Sequence, residues 1–422
     1  MKRLVYSVAV LGLIMAACSD DNDSSINNNG TNPTPASTNV VARGDIVSDQ
    51  AGAAVTDPML VNAWGLAFNP VGAAWVSAEG TGVSGVYDAN GNQLIPSVRI
   101  PAPGNEPSEP TGQVFNTNTA SFMGDLFIFA TANGSIAGWQ PSMGAQATQR
   151  VDSSPLMANY KGITIATDAN GVSRLYAADL HGAKIDVFDT AYRPVTTAGN
   201  FRDPQVPAGF APFNVQAHQG AVLVAFAKQD AMMEDEEAGP GLGYVDLFDA
   251  QGTLVQRLVA AGELNAPWGM VMTPSSFGSA PNRLLIGNFG DGRIHVYNWQ
   301  MTVTQQLTVP VPTQAAARLE GSLIDPNGVE IVLDGLWDLK FGVDAGGFRS
   351  DTLYFTAGPD DEEHGIFGRL SPAAAQAPPQ GTGGTGGAGG TGTAGAGGSG
   401  GTGTAGVGGS GGTGPAGAGG TY

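Results

Sequence analysis

One supersecondary unit occurs six times in this chain, and that repetition constrains the fold more than any other feature of the sequence. Each unit has an apolar strand, a Gly-rich or acidic loop, and a following strand that ends in an aromatic residue. In the unit LLIGNFGDGRIHVYNW, residues 284–299, the segment NFGDG separates two strand-like runs. The aromatic ends of the units are Tyr87, Trp139, Phe188, Phe248, Tyr297 and Phe367.

A candidate first strand lies upstream of each unit, and a weaker fourth strand follows most of them, as in LIPSVRI and LVQRLVA. The first strands are spaced almost regularly along the chain, with the fifth unit drawn out. They are marked by Trp64, Gln113, Lys161, Phe213, Trp268 and Trp337. The repeats contain no pattern typical of a long amphipathic helix. Six units of four short strands predict an all-β fold, a six-bladed β-propeller.

The segment NVVARGDIVSDQ, residues 39–50, alternates apolar and polar side chains but belongs to no unit. The sixth unit ends near Leu370 without a fourth strand of its own. We therefore expect about residues 40–49 to supply the outer strand of the last blade. A ring closed in this way hides strand edges that would otherwise pair with other chains.

The N-terminal segment MKRLVYSVAVLGLIMAAC is typical of an export signal, because two basic residues precede a short apolar run. Met15-Ala16-Ala17-Cys18 resembles the bacterial lipobox, which more often has Leu where Met15 stands. The resemblance implies cleavage before Cys18 and a lipid on its thiol, and ordinary signal cleavage is the alternative. By the same analogy, Ser19 favours the outer membrane. We expect an exported, membrane-anchored monomer of the bacterial cell envelope, periplasmic or surface-exposed.

The predicted organisation is a signal peptide over 1–17, a tether over 18–39, a propeller over 40–372 and a tail over 373–422. The tether has too few aliphatic residues to form a core, and the tail consists mainly of Pro, then Gly, Thr and Ala, so both are predicted to be disordered. A net charge of −19 without any basic cluster excludes nucleic acid as a partner and favours cationic ligands. Cys18 is the only cysteine, so no intramolecular disulfide can form.

Several stretches between residues 45 and 370 resemble a family of bacterial secreted propeller proteins that is distantly similar to NHL-repeat and gluconolactonase-like propellers. They include LVNAWGLAFNP, YKGITIA, LYAADLHGAKIDVFD, LNAPWGM, GLWDLKFG and LYFTAGPDDEEHGIFGRL. The resemblance implies the propeller fold and export. It brings neither an activity nor catalytic residues.

In a propeller, the loops between second and third strands share a face with the starts of the first strands, at one end of the channel. The acids of these loops are Glu79, Asp179, Asp230, Glu234, Asp235, Glu236, Glu237, Asp291, Asp360, Asp361, Glu362 and Glu363. Oxygen ligands without thiols suit a hard cation such as Ca²⁺ or Mg²⁺. The candidate ligands are Asp179, Asn214, Asn288, Asp291 and Asp334.

The same face carries the candidate binding residues. They are Trp64, Trp268, Trp337, Glu234, Asp235, Glu236, Glu237, Asp360, Asp361 and Glu363. The tryptophans are interpreted either as inner packing or as an aromatic collar, and the acids either as a solvated loop or as a partner contact. His181 and His364 are candidate general bases, although a structural role is the alternative, since no Ser or Cys nucleophile is spaced to partner them.

Two loop features have a structural alternative to ligand binding. NFGDG is interpreted as a tight hairpin turn, with Asn288 and Asp291 as metal ligands in the competing interpretation. Asp88, Asp189 and Asp249 recur at one blade position, which favours hydrogen bonding within turns.

These observations favour a lipid-anchored envelope propeller that acts as a binding or scaffold module, with an unidentified protein or glycan ligand. The alternative is a metal-dependent hydrolase of the lactonase or phosphotriesterase type, with a cation in the channel. A quinone-dependent redox propeller is weaker, because few bases are available to hold an anionic cofactor. No phosphate-binding loop, dinucleotide fingerprint, zinc spacing or nucleophile elbow occurs in the sequence.

Overall fold

A computed structural model describes residues 39–104, 107–278, 283–299 and 317–373. Its helices are single 3-10 turns at Glu79–Thr81, Phe122–Gly124, Pro141–Met143 and Ser154–Leu156. In this part of the chain, no helix has the length and apolar character needed to cross a membrane. The predicted signal peptide, the tether up to residue 38 and the tail from residue 374 lie outside the described residues.

The strands form six sheets, or blades, which are antiparallel apart from one short parallel pairing. Two strands precede blade 1: β1 (Val41–Ser48) and β2 (Val55–Thr56). Blade 1 contains β3 (Ala63–Phe68), β4 (Ala74–Ala78), β5 (Val83–Tyr87) and β6 (Val98–Arg99). Blade 2 contains β7 (Pro110–Phe115), β8 (Phe127–Thr131), β9 (Ser135–Trp139) and β10 (Thr148–Asp152). Blade 3 contains β11 (Tyr160–Thr167), β12 (Ser173–Asp179) and β13 (Lys184–Phe188).

The remaining blades follow in chain order. Blade 4 contains β14 (Phe210–His218), β15 (Ala221–Gln229), β16 (Glu236–Glu237), β17 (Gly243–Asp249) and β18 (Leu254–Ala260). Blade 5 contains β19 (Pro267–Met272), β20 (Arg283–Asn288), β21 (Ile294–Asn298) and β22 (Arg318–Ser322). Blade 6 contains β23 (Leu336–Phe341), β24 (Leu353–Ala357) and β25 (Ile366–Pro372), and β1 and β2 continue the same sheet. The predicted six-bladed propeller is confirmed.

Ring closure occurs where the sequence predicts it. β1 pairs with β25 in antiparallel fashion, from Val41 opposite Pro372 to Ser48 opposite Ile366. At the axis, β23 of blade 6 also contacts β3 of blade 1, so the ring is continuous on both its inner and its outer side. The buried face of β1 includes Val47, which lies opposite Phe367. The N-terminal strand is therefore part of the last blade.

The hydrophobic core is distributed between neighbouring blades. Between blades 1 and 2, for example, the ring of Trp75 stacks on Phe127 with centroids 4.0 Å apart, and Trp139 packs against both rings. Each blade thus buries its two faces against its neighbours, and no single blade has a core of its own.

Every inner strand contains a β-bulge at the same place. The register shifts lie between Ala63 and Leu66, Pro110 and Gln113, Tyr160 and Ile163, Pro212 and Asn214, Pro267 and Met270, and Leu336 and Leu339. A bulge re-aims the side chain of the extra residue. The first residue of each bulge is Trp64, Thr111, Lys161, Phe213, Trp268 or Trp337. The sequence analysis aligned Gln113 with this set, and the observed register corrects that position to Thr111.

Neighbouring inner strands approach each other closely at these bulges. A Cβ atom on Gly65 would lie 2.6 Å from the carbonyl oxygen of Thr111 in the next blade. On Gly112 it would lie 2.9 Å from the backbone nitrogen of Ile163. Glycine is required here because any side chain would clash with backbone. The channel is consequently narrow enough for a few side chains to fill.

The closure by β1 predicts the effect of Val47→Ala. Because Val47 is fully buried against the last blade, the substitution leaves a cavity and should lower the free energy of unfolding by about 2 kcal/mol. Urea denaturation of both proteins measures this difference. Val71→Ala is the matched control, since Val71 is 78% exposed, and it should leave stability unchanged. An equal stability of Val47→Ala and wild type would contradict the structural role of β1.

Candidate functional site

Four aromatic side chains from the bulges fill the centre of the channel. The rings of Trp64 and Trp337 stack with centroids 3.4 Å apart, and Trp268 meets both edge-on at 5.8 and 5.9 Å. Phe213 packs against Trp64 and Trp337. Trp64, Trp268 and Trp337 are at most 3% exposed. The three tryptophans are therefore packed against one another at the centre of the channel.

The other two bulges carry Thr111 and Lys161, and beside them the channel opens into a cavity of about 560 Å³. We call this cavity the acidic chamber. It is lined by Trp64, Thr111 and Lys161, by Asn133, Asn159 and His181, and by the carboxylates of Glu79, Glu109, Glu234, Asp235 and Glu362. A separate cavity of about 240 Å³, the exit pocket, opens at the ends of the inner strands and is lined partly by Trp268. The aromatic cluster thus lies between the acidic chamber and the exit pocket.

Lys161 lies at the inner end of the acidic chamber and is 3% exposed. Its Nζ is 2.8 Å from Oδ1 of Asp235 and 5.2 Å from the centre of the Trp64 ring. Burial by itself lowers the pKa of Lys161, but the charges of Asp235, Glu236 and Glu362 shift that pKa upwards overall. Lys161 is therefore a buried ammonium ion held by a carboxylate and an aromatic face.

Asn62 joins the aromatic cluster to the carboxylates of the chamber. Its side-chain Nδ2 donates to Oε2 of Glu79 at 3.0 Å and also to Oε2 of Glu362. Its Oδ1 accepts a hydrogen bond from Nε1 of Trp337 at 3.0 Å. Burial raises the pKa of Glu362, and the nearby charges of Glu79 and Asp235 raise it further against the opposing effects of Asn62 and Lys161. One neutral amide thus holds two carboxylates together.

The loop of blade 4, residues 230–242, extends over the chamber, and we call it the strap. Asp235 reaches Lys161 of blade 3, and Asn159 of blade 3 donates from Nδ2 to the carbonyl of Glu234 at 2.9 Å. On its other side the strap donates from Gly239 N to Asn265 Oδ1 at 2.6 Å. Burial raises the pKa of Glu236 to about 8, with Lys161 opposing this shift and Glu362 and Asp235 adding to it.

The remaining acids of the predicted binding face lie outside the chamber lining. Glu237 pairs with Lys228 at 3.5 Å. Asp360 N donates to Oδ2 of Asp334 at 2.9 Å, and Asp361 and Glu363 are exposed. Of the acids on the loop of blade 6, it is Glu362 that lines the chamber.

The two histidine candidates differ in their surroundings. His181 lines the acidic chamber. His364 is held outside it, with Nδ1 2.8 Å from Oδ2 of Asp49. Gly365 N donates to the other oxygen of Asp49 at 2.9 Å, so this pair connects the last blade to the end of β1.

The structure does not gather the five candidate metal ligands around one point. Asp179 accepts hydrogen bonds from Asn159 N and Gly182 N, and Asn214 lies at the exit pocket. Asn288 and Asp291 share the hairpin of blade 5, where Nδ2 of Asn288 donates to Asp291 at 3.1 Å. Asp334 is exposed. Within residues 39–104, 107–278, 283–299 and 317–373, no three or more His, Asp or Glu side chains are placed to hold a metal ion.

Both loop features form turns. NFGDG connects β20 to β21, with Asn288 N donating to the carbonyl of Arg293 and Gly292 at a φ of 68°. Oδ1 of Asp88, Asp189 and Asp249 accepts backbone hydrogen bonds from residues two and four positions further along the chain. The donors are Asn90, Asn92, Ala191, Arg193, Gln251 and Thr253.

The sequence analysis missed Lys161 and Thr111 as determinants of the site. The signal was present in the repeats, because the equivalent position carries an aromatic ring in the other four blades. The misaligned second unit hid Thr111, and Lys161 was used only to mark a strand. The joint contact of Asn62 with Glu79 and Glu362 depends on two loops that are far apart in the chain.

Comparison with known proteins returns relatives that are named as uncharacterized. Protein R648 of Acanthamoeba polyphaga mimivirus is 28% identical over 336 residues, which are 75% of this chain and 76% of the relative. Protein L690 of the same virus is 27% identical over 336 residues, 75% of this chain and 82% of the relative. No protein-family model matches the chain. These relatives are viral, so the expected bacterial and secreted family stays a prediction.

Solved structures resemble the chain at the level of the fold. A streptogramin B lyase covers 78% of this chain and 97% of its own, with a TM-score of 0.46 and 12% identity. A candidate gluconolactonase covers 63% of this chain and 79% of its own, with a TM-score of 0.39 and 14% identity. A PQQ-bound aldose sugar dehydrogenase from Streptomyces coelicolor covers 79% and 99%, with a TM-score of 0.40 and 12% identity. At these values no activity is transferred to this chain.

The His364–Asp49 pair predicts a pH dependence of stability. The hydrogen bond to Asp49 raises the pKa of His364 against burial, and the charges of Asp49, Asp360 and Glu363 add to the increase. A raised histidine pKa stabilises the fold fully below the ordinary value of 6.5 and loses this effect as the pH rises through the raised value. Burial raises the pKa of Asp49, but the hydrogen bonds from Gly365 and His364 lower that pKa overall. The contribution of ionised Asp49 to the stability of the fold is therefore lost only as the pH falls into the acid range.

We therefore expect the urea midpoint of the wild type to fall, relative to that of His364→Gln, as the pH rises from the ordinary histidine pKa of 6.5 through the raised pKa of His364. Glutamine retains a donor for Asp49 but does not titrate. Taking the difference between the two proteins removes the contribution of other titrating groups. Parallel pH profiles would show that this pair does not link the protonation of His364 to folding.

Proposed function

We propose that this protein is a lipid-anchored propeller of the cell envelope that binds a protein or glycan ligand through the acidic chamber. The observation that carries the proposal is the replacement of the channel aromatics by Thr111 and Lys161, beside which the cavity opens. Its carboxylates come from several blades, so the ring itself positions them. A preformed concave site with a few convergent polar groups is typical of ligand binding.

Ligand binding does not require a nucleophile paired with a general base, whereas hydrolysis by a covalent mechanism does. Lys161 is engaged by Asp235, and His364 by Asp49. The chamber lining includes Ser154, but no hydrogen bond joins it to His181 in the described residues. The geometry therefore supports recognition of a ligand better than the nucleophile–base arrangement of a hydrolase.

Filling the chamber tests this proposal. Thr111→Trp places an indole where three other blades carry tryptophan, so binding of the ligand should decrease about tenfold or more through steric exclusion. Glycan and peptide arrays probed with the wild type and the variant measure the effect. A melting curve of the variant establishes that it is folded.

Thr111→Val is the matched control, because it removes the hydrogen bond from Thr111 Oγ1 to the carbonyl of Tyr160 without filling the chamber. It should retain the ligand. If every ligand of the wild type binds Thr111→Trp equally well, the chamber is not the binding site. Adding EDTA to the same arrays tests the metal-dependent alternative, since a required Ca²⁺ or Mg²⁺ ion would make binding or hydrolysis sensitive to chelation.

The lipid anchor is tested at Cys18, which lies outside the described residues. In a bacterial host supplied with radiolabelled fatty acid, the wild type should incorporate label and fractionate with membranes. Cys18→Ser should do neither, because the serine hydroxyl does not replace the thiol in lipid attachment. Label on the serine variant, or wild type found only in the soluble fraction, would contradict the anchor.

A further inference from the structure

The carboxylates of Glu79 and Glu362 are held close together in the chamber without a strong cation of their own. Both accept from the same Nδ2 atom of Asn62, which carries no charge. The chamber's lysine, Lys161, makes its ion pair with Asp235 instead. Of the described residues that line the cavity, only Lys161 and His181 have basic side chains, against five carboxylates. The site thus has an excess of negative charge where a ligand would enter.

An independent feature of the lining also calls for a hydrogen-bond donor. Nδ2 of Asn159 donates to the strap, but its Oδ1 is buried and has no partner in the described part of the chain. A buried acceptor without a donor destabilises the protein unless water or a ligand supplies one. Asn159 lines the chamber, and a ligand with several N–H donors could reach this covered oxygen once the amide group rotates towards the cavity.

Lys161 shows how this chamber holds an alkylammonium group. Its Nζ combines a carboxylate at 2.8 Å with an aromatic ring at 5.2 Å, while its alkyl stem is buried. These are the elements by which proteins recognise organic cations. An incoming amine would find a pair of carboxylates in Glu79 and Glu362.

We propose that the acidic chamber binds a protonated primary amine on an alkyl chain, with Glu79 and Glu362 as its principal acceptors. This inference rests on the proposed function and names the chemistry of its ligand. The amine is a lysine side chain of a protein partner or a free polyamine, which share this chemistry. Neither the strap nor the inner strands must unfold for such a group to enter, since the chamber is already open.

Calorimetric titration of the full chain with two probes tests the inference. The probes are Nα-acetyl-lysine methylamide, for a protein source, and spermidine, for a free polyamine. Nα,Nε-diacetyl-lysine methylamide is the matched control, because acetylation removes the charge but keeps the chain. We expect at least one amine to bind and the acetylated control not to bind. A preference for one probe identifies the source.

Two variants locate the site. Glu79→Gln with Glu362→Gln keeps shape and should weaken amine binding about tenfold or more. Glu330→Gln is the control for charge, since Glu330 lies outside the chamber and pairs with Arg293, and it should change affinity less than about twofold.

Equal binding of the acetylated control, or unchanged affinity in the double Glu→Gln variant, overturns the inference. Failure of both amines to bind the wild type overturns it as well. The proposed function survives any of these results if a neutral glycan or peptide binds the wild type and is lost from Thr111→Trp. If Thr111→Trp keeps every ligand, the proposed function fails too.

Discussion

Six inner strands that converge on one axis leave room for about one side chain from each blade, and the rest of the structure depends on that constraint. The β-bulge present in every inner strand turns this side chain towards the channel. With glycine beside most bulges, the strands come so close that four aromatic rings suffice to fill the centre. The two exceptions, Thr111 and Lys161, therefore decide where the acidic chamber opens.

The polar side of this arrangement is organised by Asn62. Its oxygen is bonded to the aromatic cluster through Trp337, and its nitrogen is bonded to carboxylates of blades 1 and 6. Burial raises the pKa of Glu362, and the charge of Glu79 raises it further because carboxylates brought together in this way repel each other. The fold overcomes this repulsion through the packing of whole blades. The electrostatic field of the chamber is thus set by the folded ring itself.

Much of the fold follows from the sequence because strand periodicity and repeat length are local properties. The six units, the closing strand around β1 and the turns at Asp88, Asp189 and Asp249 were all predictable on that basis. The bulges were not, since an extra residue in one strand shows itself only through the register of its partner. This is why Gln113 was aligned in place of Thr111. The sequence also does not show which side chains of the acidic loop of blade 6 face the chamber. In the structure, Glu362 is the residue of that loop that lines it.

The antiparallel pairing of β1 with β25 has a mechanical consequence. Val41, where β1 begins, lies opposite Pro372, where β25 ends, so the polypeptide enters and leaves the ring at the same end of one two-stranded ladder. A force that pulls these two points apart loads the hydrogen bonds of that ladder one after another, as in a zipper, and does not shear them all together. If the ring were stretched between its entry and exit points, it would open first at this ladder and at the hydrogen bond from Val41 N to the carbonyl of Ile324, and blades 1 to 4 would carry load only afterwards.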